Sequence, residues 1–169
     1  AGFINKVPEI VKEYGNEFTV ATVGTIKVTP HSVNVIPGTC TFSLEIRDQS
    51  AEVMKLIENH LRQLLEDICE KYGVTATFVP TSYHDPAPMS ELVRGTIEEA
   101  VKELGIDYTV IPSGAFHDSL IMTSVFPTGM IFVPSKDGIS HSRYEYTAPE
   151  DIENGCNVLL NTVLKLDEK

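Results

Sequence analysis

The chain has 169 residues, of which 42% are hydrophobic, and a formal net charge of -11. This length suits one domain or two small ones, and the composition excludes a disordered chain. The acidic excess argues against nucleic-acid or anionic-membrane partners, because both bind basic surfaces. The odd number of scattered cysteines, with no leader and no long apolar run, predicts a cytoplasmic protein without disulfides.

The first half of the chain predicts two helices and three strands. Apolar residues recur at helical spacing in the helices and alternate with polar residues in the first two strands. Ser50 is the expected N-cap of the second helix, and Gly73 is its expected end. The α-β-β-α-β order is that of a ferredoxin-like split βαβ fold without its first strand, which favours a chain that is part of a longer protein. In chain order, the predicted segments are 3–14, 18–28, 39–47, 51–72 and 74–79.

A proline-rich stretch, 80–89, precedes a second half in which helices and strands alternate. Ser90 is the expected N-cap of its first helix, and Thr147 and Glu150 predict a capping box for its last helix. The alternation predicts a mostly parallel sheet. In chain order, the predicted segments are a helix to about 104, a strand over 107–111, a helix over 117–125, a strand over 129–133 and a helix to about 166.

Two histidines, His117 in PSGAFHDSL and His141 in VPSKDGISHSRYEYT, each follow a predicted strand and are flanked by small residues. Open parallel sheets bind ligands at the carboxyl ends of their strands, so both are candidate site residues. The backbone amides of 113–115 lead into a predicted helix and could hold an anion. Glu145 lies four residues after His141 and could orient it.

The spacing alone leaves several chemistries open. A catalytic triad of Ser113 or Ser119 with His117 and Asp118 is disfavoured, because adjacent residues rarely point towards each other and no glycine elbow is present. A mononuclear zinc site of His117, His141 and a carboxylate is chemically allowed. Both histidines could also simply satisfy turns.

Three segments carry a family resemblance: GTIKVTPHSVNVIPGTCTFSLEIRD (24–48), PSGAFHDS (112–119) and PTGMIFVPSKDGISHSRYEYT (127–147). In this order they resemble segments of the allantoate amidohydrolase and N-carbamoyl-L-amino acid hydrolase family, in the aminoacylase-like clan of dinuclear-metal peptidases. The resemblance implies an α/β fold with a ferredoxin-like lid and dimerisation domain over 1–83. The C-terminal part of a zinc-peptidase-like catalytic domain would then follow over 84–169.

The resemblance also implies a reaction, the hydrolysis of the C–N bond of a ureido or amide group. The substrate would carry a free carboxylate, as allantoate and N-carbamoyl-L-amino acids do. Two divalent metal ions (Zn, Mn or Co) would serve the full-length enzyme, in which a metal-bridging water attacks and a glutamate acts as base. Nothing in the chain matches the family's other metal ligands or that glutamate, so we expect the chain alone to be inactive.

Residue by residue, the resemblance implies that His141 is a metal ligand. The other ligands would come from an upstream catalytic half of the same polypeptide, within a homodimer whose lid residues can reach the partner's active site. Arg47 suits a carboxylate, because its planar fork can pair with both oxygens. The implied substrate-binding residues are Asn34, Arg47, Gly114, Ala115 and His117.

Two alternatives share these features. An aminoacylase or a dipeptidase of the same clan would have similar motifs. A non-catalytic protein that dimerises, or that binds small carboxylates through Arg47, would have the same fold without the hydrolase activity.

Overall fold

The computed structural model describes residues 1–168. The chain divides into two compact units, Ala1–Pro86 and Ala87–Lys169, and the division falls within the proline-rich stretch. Helices and short strands occur together, as the α/β class predicts. The assignment of 1–83 to a lid and of 84–169 to a catalytic segment stays a prediction. None of the helices in the described residues is long and apolar enough to cross a membrane.

Both predicted helices of the amino-terminal unit are confirmed. The second begins where expected, because the Ser50 Oγ accepts a hydrogen bond from the backbone N–H of Val53 at 3.3 Å. It ends at Gly73, whose φ of 63° lies in the left-handed region that favours glycine. The elements of this unit are α1 (Gly2–Tyr14), β1 (Val20–Thr22), β2 (Ile26–Thr29), β3 (Thr39–Phe42), β4 (Glu45–Arg47) and α2 (Ala51–Tyr72).

The strands predicted over 18–28 and 39–47 pair with each other, but each is interrupted. β1 pairs antiparallel with β4, and β2 pairs antiparallel with β3. Residues 23–25 separate the two ladders on one side, and the shorter stretch 43–44 separates them on the other. One extra residue on one side is the arrangement of a β-bulge, so the prediction of two continuous strands is wrong here.

The bulge is held by hydrogen bonds between Thr25 and Ser43. The backbone N–H of Ser43 donates to the Thr25 carbonyl at 3.2 Å, and the backbone N–H of Thr25 donates to the Ser43 Oγ at 3.1 Å. The backbone groups of Thr25 and Ser43, which lie at the break between the ladders, are therefore paired with each other.

The core of this unit lies between the two helices and one side of the ladders. Phe3 and Val7 of α1 are buried against Ile57 and Leu61 of α2, and the last two have no exposed surface. The helices thus bury their apolar stripes against the sheet, which is what stabilises short strands. The ladders contribute partly buried side chains, namely Ala21, Val23, Phe42, Leu44 and Ile46.

Cys40 is exposed, although its alternation with Phe42 predicts an inward position. The helices pack against β1 and β4, and Phe42 reaches the core at the near end of β3, with its ring centroid 5.2 Å from that of Phe3. Cys40 lies two residues before Phe42 in β3, in the part of the β2–β3 ladder that no helix of the described chain covers. It is one of three free cysteines in the described chain.

Asp48, which follows β4, connects the turn before β1 with the start of α2. Its carboxylate accepts hydrogen bonds from the Thr19 hydroxyl, from the Asn16 side-chain amide and from the backbone N–H of Ser50. The turn before β1 and the start of α2 are therefore tied to the residue that follows β4.

The predicted strand over 74–79 does not form. A strand needs a hydrogen-bonded neighbour, and no other segment of the described chain pairs with this one. Its Phe78 contacts α2 instead, where the Arg62 guanidinium lies 3.7 Å from the centre of the Phe78 ring. Arg62 also pairs with Glu58 at 2.6 Å. The predicted α-β-β-α-β order is therefore not what the structure contains.

The carboxyl-terminal unit is built on two packed helices. Ser90 caps the first as predicted, although its bond to the N–H of Val93 is long at 3.5 Å. The predicted capping box is wrong. The last helix begins at Pro149 with Ala148 as its N-cap, so Thr147 lies one residue too early to cap it. The elements are α3 (Glu91–Glu103), α4 (Asp118–Met122), a 3₁₀ turn (Lys136–Gly138) and α5 (Pro149–Asp167).

The α3–α5 interface buries two threonines that the apolar pattern does not predict. The hydroxyls of Thr96 and Thr162 donate to the carbonyls of Leu92 and Val158, one turn earlier in the same helix. Each polar group is thereby satisfied inside the core. The apolar spacing of this helix predicts that Leu92 faces the core, but Leu92 is 53% exposed. The other buried residues of the interface are Ala100, Val101 and Val158.

The strands predicted over 107–111 and 129–133 do not form, and neither does the predicted parallel sheet, within the described residues. The segment 129–133 contacts both helices instead. A Cβ atom added to Gly129 would lie 2.6 Å from a methyl of Val93 in α3. One added to Gly155 in α5 would lie 2.6 Å from a methyl of Val133. The extended segment fits there because these two residues lack side chains.

We predict that Leu61→Ala lowers the free energy of unfolding of the amino-terminal unit by about 2–5 kcal/mol, because it opens a cavity in a fully packed site. Leu56→Ala, on the exposed side of the same helix, should cost less than about 1 kcal/mol. Urea denaturation followed by circular dichroism measures both. Equal losses would contradict the assignment of Leu61 to the core.

Candidate functional site

The loop that precedes α4 is closed by Ser113 and His117. The Ser113 Oγ lies 2.9 Å from the His117 Nε2, and it also accepts a hydrogen bond from the backbone N–H of Ala115 at 3.3 Å. Ser113 and His117 are half-buried, whereas residues 114–116 between them are exposed. Residues 114–116 are therefore exposed to solvent, and the Ser113 hydroxyl holds the two ends of the loop together.

This geometry differs from the anion cradle expected of 113–115. α4 begins at Asp118, with His117 as its N-cap, so the amides of 113–115 do not lie in the first turn of a helix. The Ala115 amide is bonded to Ser113. The expected site at a helix N-terminus does not form, because the chain makes a serine-closed turn before the helix starts.

The imidazole of His117 is restrained on a second side by an aromatic ring. Its centroid lies 5.6 Å from that of Phe132, with the two planes inclined at 58°. Within residues 1–168, Ser113 is the one hydrogen-bond partner of this imidazole. Asp118 does not hold the other ring nitrogen, so the disfavoured serine triad lacks its carboxylate in the described chain.

The second candidate histidine lies in a loop with left-handed backbone. His141 has a φ of 54°, and Asp137 and Gly138 have φ values of 56° and 66°. The His141 backbone N–H donates to the Glu145 Oε2 at 2.8 Å. Glu145 therefore contacts the main chain of His141, whereas the sequence suggested a role in orienting the imidazole.

The loop that carries His141 is closed at its base by backbone pairing. The N–H of Lys136 donates to the Tyr146 carbonyl at 2.8 Å, and the N–H of Glu145 donates to the Ser142 carbonyl at 3.0 Å. The Ser135 hydroxyl bonds to the Ile139 carbonyl at 2.5 Å. Such local bonds can hold a sparsely populated backbone conformation in place.

The candidate residues of the amino-terminal unit lie on its surface. Arg47 is on the polar side of β4, as its alternation predicts, and its Nη2 lies 2.8 Å from the Glu45 Oε1. Both side chains are about half exposed, so this pair contributes little to stability. Asn34 is in the exposed loop between β2 and β3, where its Oδ1 accepts a hydrogen bond from the Ser32 hydroxyl at 2.8 Å.

The described residues bring no group of three or more His, Cys, Asp or Glu side chains close enough to hold a metal ion. The mononuclear site of His117, His141 and a carboxylate, which spacing allows, therefore does not form within residues 1–168. Two shallow surface depressions, lined by 51–59 of α2 and by 88–90 with 123–128, contain none of the predicted site residues.

Sequence reasoning missed the contacts of Ser113 and Phe132 with His117. The sequence suggests Ser113 as a disfavoured nucleophile and as part of a backbone anion site, and neither interpretation includes a contact of its hydroxyl with His117. The signal for its contact is a serine four residues before a histidine in a glycine-containing loop, a spacing that lets a turn bring the two side chains together. No sequence signal points to Phe132, because its contact depends on how 129–133 packs against the helices.

The family model of peptidase family M20/M25/M40 matches residues 7–165. The chain is 39% identical, over 98% of its length, to an N-carbamoyl-L-amino acid amidohydrolase of Geobacillus stearothermophilus, and spans 40% of that protein. It is 34% identical, over 86% of its length, to an allantoate amidohydrolase of Bacillus subtilis, and spans 35% of it.

The solved structure of AtUAH in complex with (S)-hydroxyglycine superposes with a TM-score of 0.90 at 32% identity. The alignment covers 99% of this chain and 40% of that one. The chain thus spans well under half the length of these relatives. The resemblance to the allantoate amidohydrolase and N-carbamoyl-L-amino acid hydrolase family is confirmed. The chain belongs to peptidase family M20/M25/M40.

Proposed function

We propose that this chain forms part of an amidohydrolase that cleaves the C–N bond of a ureido or amide group in a substrate with a free carboxylate. The observation that carries the proposal is the alignment of almost the whole chain with relatives named for such reactions. Allantoate, ureidoglycolate and N-carbamoyl-L-amino acids all combine a carboxylate with a carbonyl bonded to nitrogen. A site for any of them needs a cationic anchor and hydrogen-bonding groups near the scissile bond.

The amino-terminal unit is, in this proposal, a lid domain of ferredoxin-like type that lacks its first strand. Its sheet consists of two-stranded ladders with α1 and α2 on one side. Two-stranded ladders are marginally stable by themselves, so a further strand along an open edge would complete the sheet. The carboxyl-terminal unit is the closing segment of the catalytic domain.

Arg47 anchors the substrate carboxylate in this proposal. Its guanidinium is at the surface and already holds one carboxylate, that of Glu45, at 2.8 Å. A substrate carboxylate would replace Glu45 and accept two parallel hydrogen bonds from the fork. The Asn34 amide, in the neighbouring loop of the same unit, provides hydrogen-bonding groups for the rest of the substrate.

In the carboxyl-terminal unit, His117 with the exposed backbone of Gly114 and Ala115 faces the substrate, and His141 is a metal ligand. A divalent metal would activate water and polarise the scissile carbonyl. The side chains of residues 1–168 do not fit a complete metal site, because no group of three ligands forms among them. One histidine cannot hold a dinuclear centre, so we derive no catalytic step through it.

The incomplete ligand set also favours a second candidate function for the chain by itself. A protein of residues 1–169 could bind small carboxylates through Arg47 without hydrolysing them. Binding of acetate to the wild-type chain, followed by NMR at the Arg47 side chain, tests this role.

The protein expressed from its complete reading frame should release ammonia from N-carbamoyl-L-amino acids or allantoate in the presence of Zn²⁺, Mn²⁺ or Co²⁺. Arg47→Met should raise the KM for the active substrate about 10- to 100-fold, because a charge-assisted bond contributes about 1.5–3 kcal/mol. Lys27→Met, in the other ladder of the same unit, removes an exposed cation as a control and should leave the KM unchanged. Absence of turnover of any ureido or amide substrate would refute the proposed function.

Purified chain 1–169 should bind these metals weakly and should not hydrolyse the same substrates, because three or more ligands are needed for a catalytic metal. Calorimetric metal titration and an ammonia-release assay measure the two properties. Turnover by this chain would show that its own residues complete the site.

Glu145→Ala should release His141 from its left-handed conformation, because the variant removes the acceptor of its backbone N–H. Glu145→Gln should retain it, because the amide oxygen can accept the same bond. The one-bond Cα–Hα coupling of His141, which reports the sign of φ, measures the change. Glu150→Ala, an exposed carboxylate in the first turn of α5, is the matched control. A coupling that is unaltered in Glu145→Ala would show that Glu145 does not hold His141.

A further inference from the structure

The Ser113 hydroxyl has two partners at the base of the exposed loop, the His117 ring and the Ala115 amide. We propose that Ser113 is a positioning residue that selects the tautomer of His117 and fixes the direction in which its free ring nitrogen points. The proposal rests on the proposed function in one respect, namely that His117 faces the substrate. Nothing in the sequence motif itself assigns this role to Ser113.

The loop geometry gives Ser113 control over its neighbours. Its side chain and that of His117 are half-buried, and the backbone between them protrudes. One oxygen atom holds both the Ala115 amide, at 3.3 Å, and the His117 Nε2, at 2.9 Å. Removal of that oxygen would free the ring and the amide together, so the proposed substrate-facing groups share one support.

The tautomer follows from the hydrogen-bonding capacity of a hydroxyl, which has one proton and two lone pairs. The Ala115 N–H can only donate, so it occupies a lone pair of the Ser113 oxygen. The hydroxyl proton has no other acceptor than His117 Nε2 in the described part of the chain. We assign Nε2 as the acceptor of this proton, which places the proton of the neutral imidazole on Nδ1.

A fixed Nδ1–H gives His117 a defined chemical role. The Phe132 ring, at 5.6 Å, limits rotation of the imidazole, so Ser113 and Phe132 together set the direction of Nδ1. An N–H donor held in place can bond a carbonyl or carboxylate oxygen of a ureido substrate without reorganising during the reaction. The other tautomer would present a lone pair to the same oxygen and repel it.

The same 2.9 Å contact could suggest a serine nucleophile with a histidine base. That reading requires a group that holds the second ring nitrogen, and residues 1–168 provide none. The Ser113 oxygen also accepts the Ala115 N–H, which occupies a lone pair that a nucleophile would use. The geometry therefore points to positioning.

Long-range ¹H–¹⁵N NMR correlation of the ring nitrogens tests the proposal directly on the wild-type chain. At pH about 8.5, where histidine is ordinarily neutral, His117 should show a protonated Nδ1 and an unprotonated Nε2. Ser113→Ala should lose this signature and shift towards the Nε2–H form. Ser113→Thr, which keeps a hydroxyl, should restore it.

Ser119→Ala is the matched control, because the Ser119 hydroxyl lies in the neighbouring helix and contacts the Met130 sulfur at 2.9 Å instead of His117. It should leave the His117 spectrum unchanged. Circular dichroism of each variant shows whether it folds, and the wild-type spectrum decides the tautomer even if Ser113→Ala does not fold.

Three results would overturn the proposal: a wild-type His117 protonated on Nε2, an unchanged spectrum in Ser113→Ala, or covalent labelling of Ser113 by a fluorophosphonate. The last would show a nucleophile. None of these readouts needs turnover. The absence of hydrolysis by the complete protein would therefore count against the proposed function and leave the tautomer assignment standing.

Discussion

Extended backbone must find hydrogen-bond partners, and the pairing of 20–29 with 39–47 is the place where this chain provides them for itself. The rest of the amino-terminal unit depends on that pairing. Asp48 ties the turn before the first strand to the start of α2, and the two helices then cover one side of the ladder. The position of Arg47, one residue before Asp48, is therefore set by the junction and the ladder together.

The carboxyl-terminal unit differs in this respect. Its extended segments have no strand partners among the described residues. The loops that follow them are held by local bonds, such as that of the Ser113 hydroxyl to the Ala115 amide and that of the Glu145 carboxylate to the His141 amide. Both candidate histidines lie in loops of this kind, where function commonly resides.

The helices were predictable because their hydrogen bonds and caps lie close in sequence, as Ser50 and Ser90 illustrate. The fate of the apolar segment 129–133 was not predictable, because an apolar run does not show which segment, if any, will pair with it. For the site, small flanking residues and family motifs led to His117 and His141. Their partners could not be predicted, because a contact within a loop depends on backbone angles that composition does not fix.

Gly129 and Gly155 leave room for the segment that leads into the loop carrying His141. The segment 129–133 has no strand partner in the described chain, and it approaches α3 and α5 closely at these two glycines. The closing pair of that loop, between Lys136 and Tyr146, begins three residues after Val133. A side chain at 155 would therefore press on Val133, three residues before the base of the loop that carries His141.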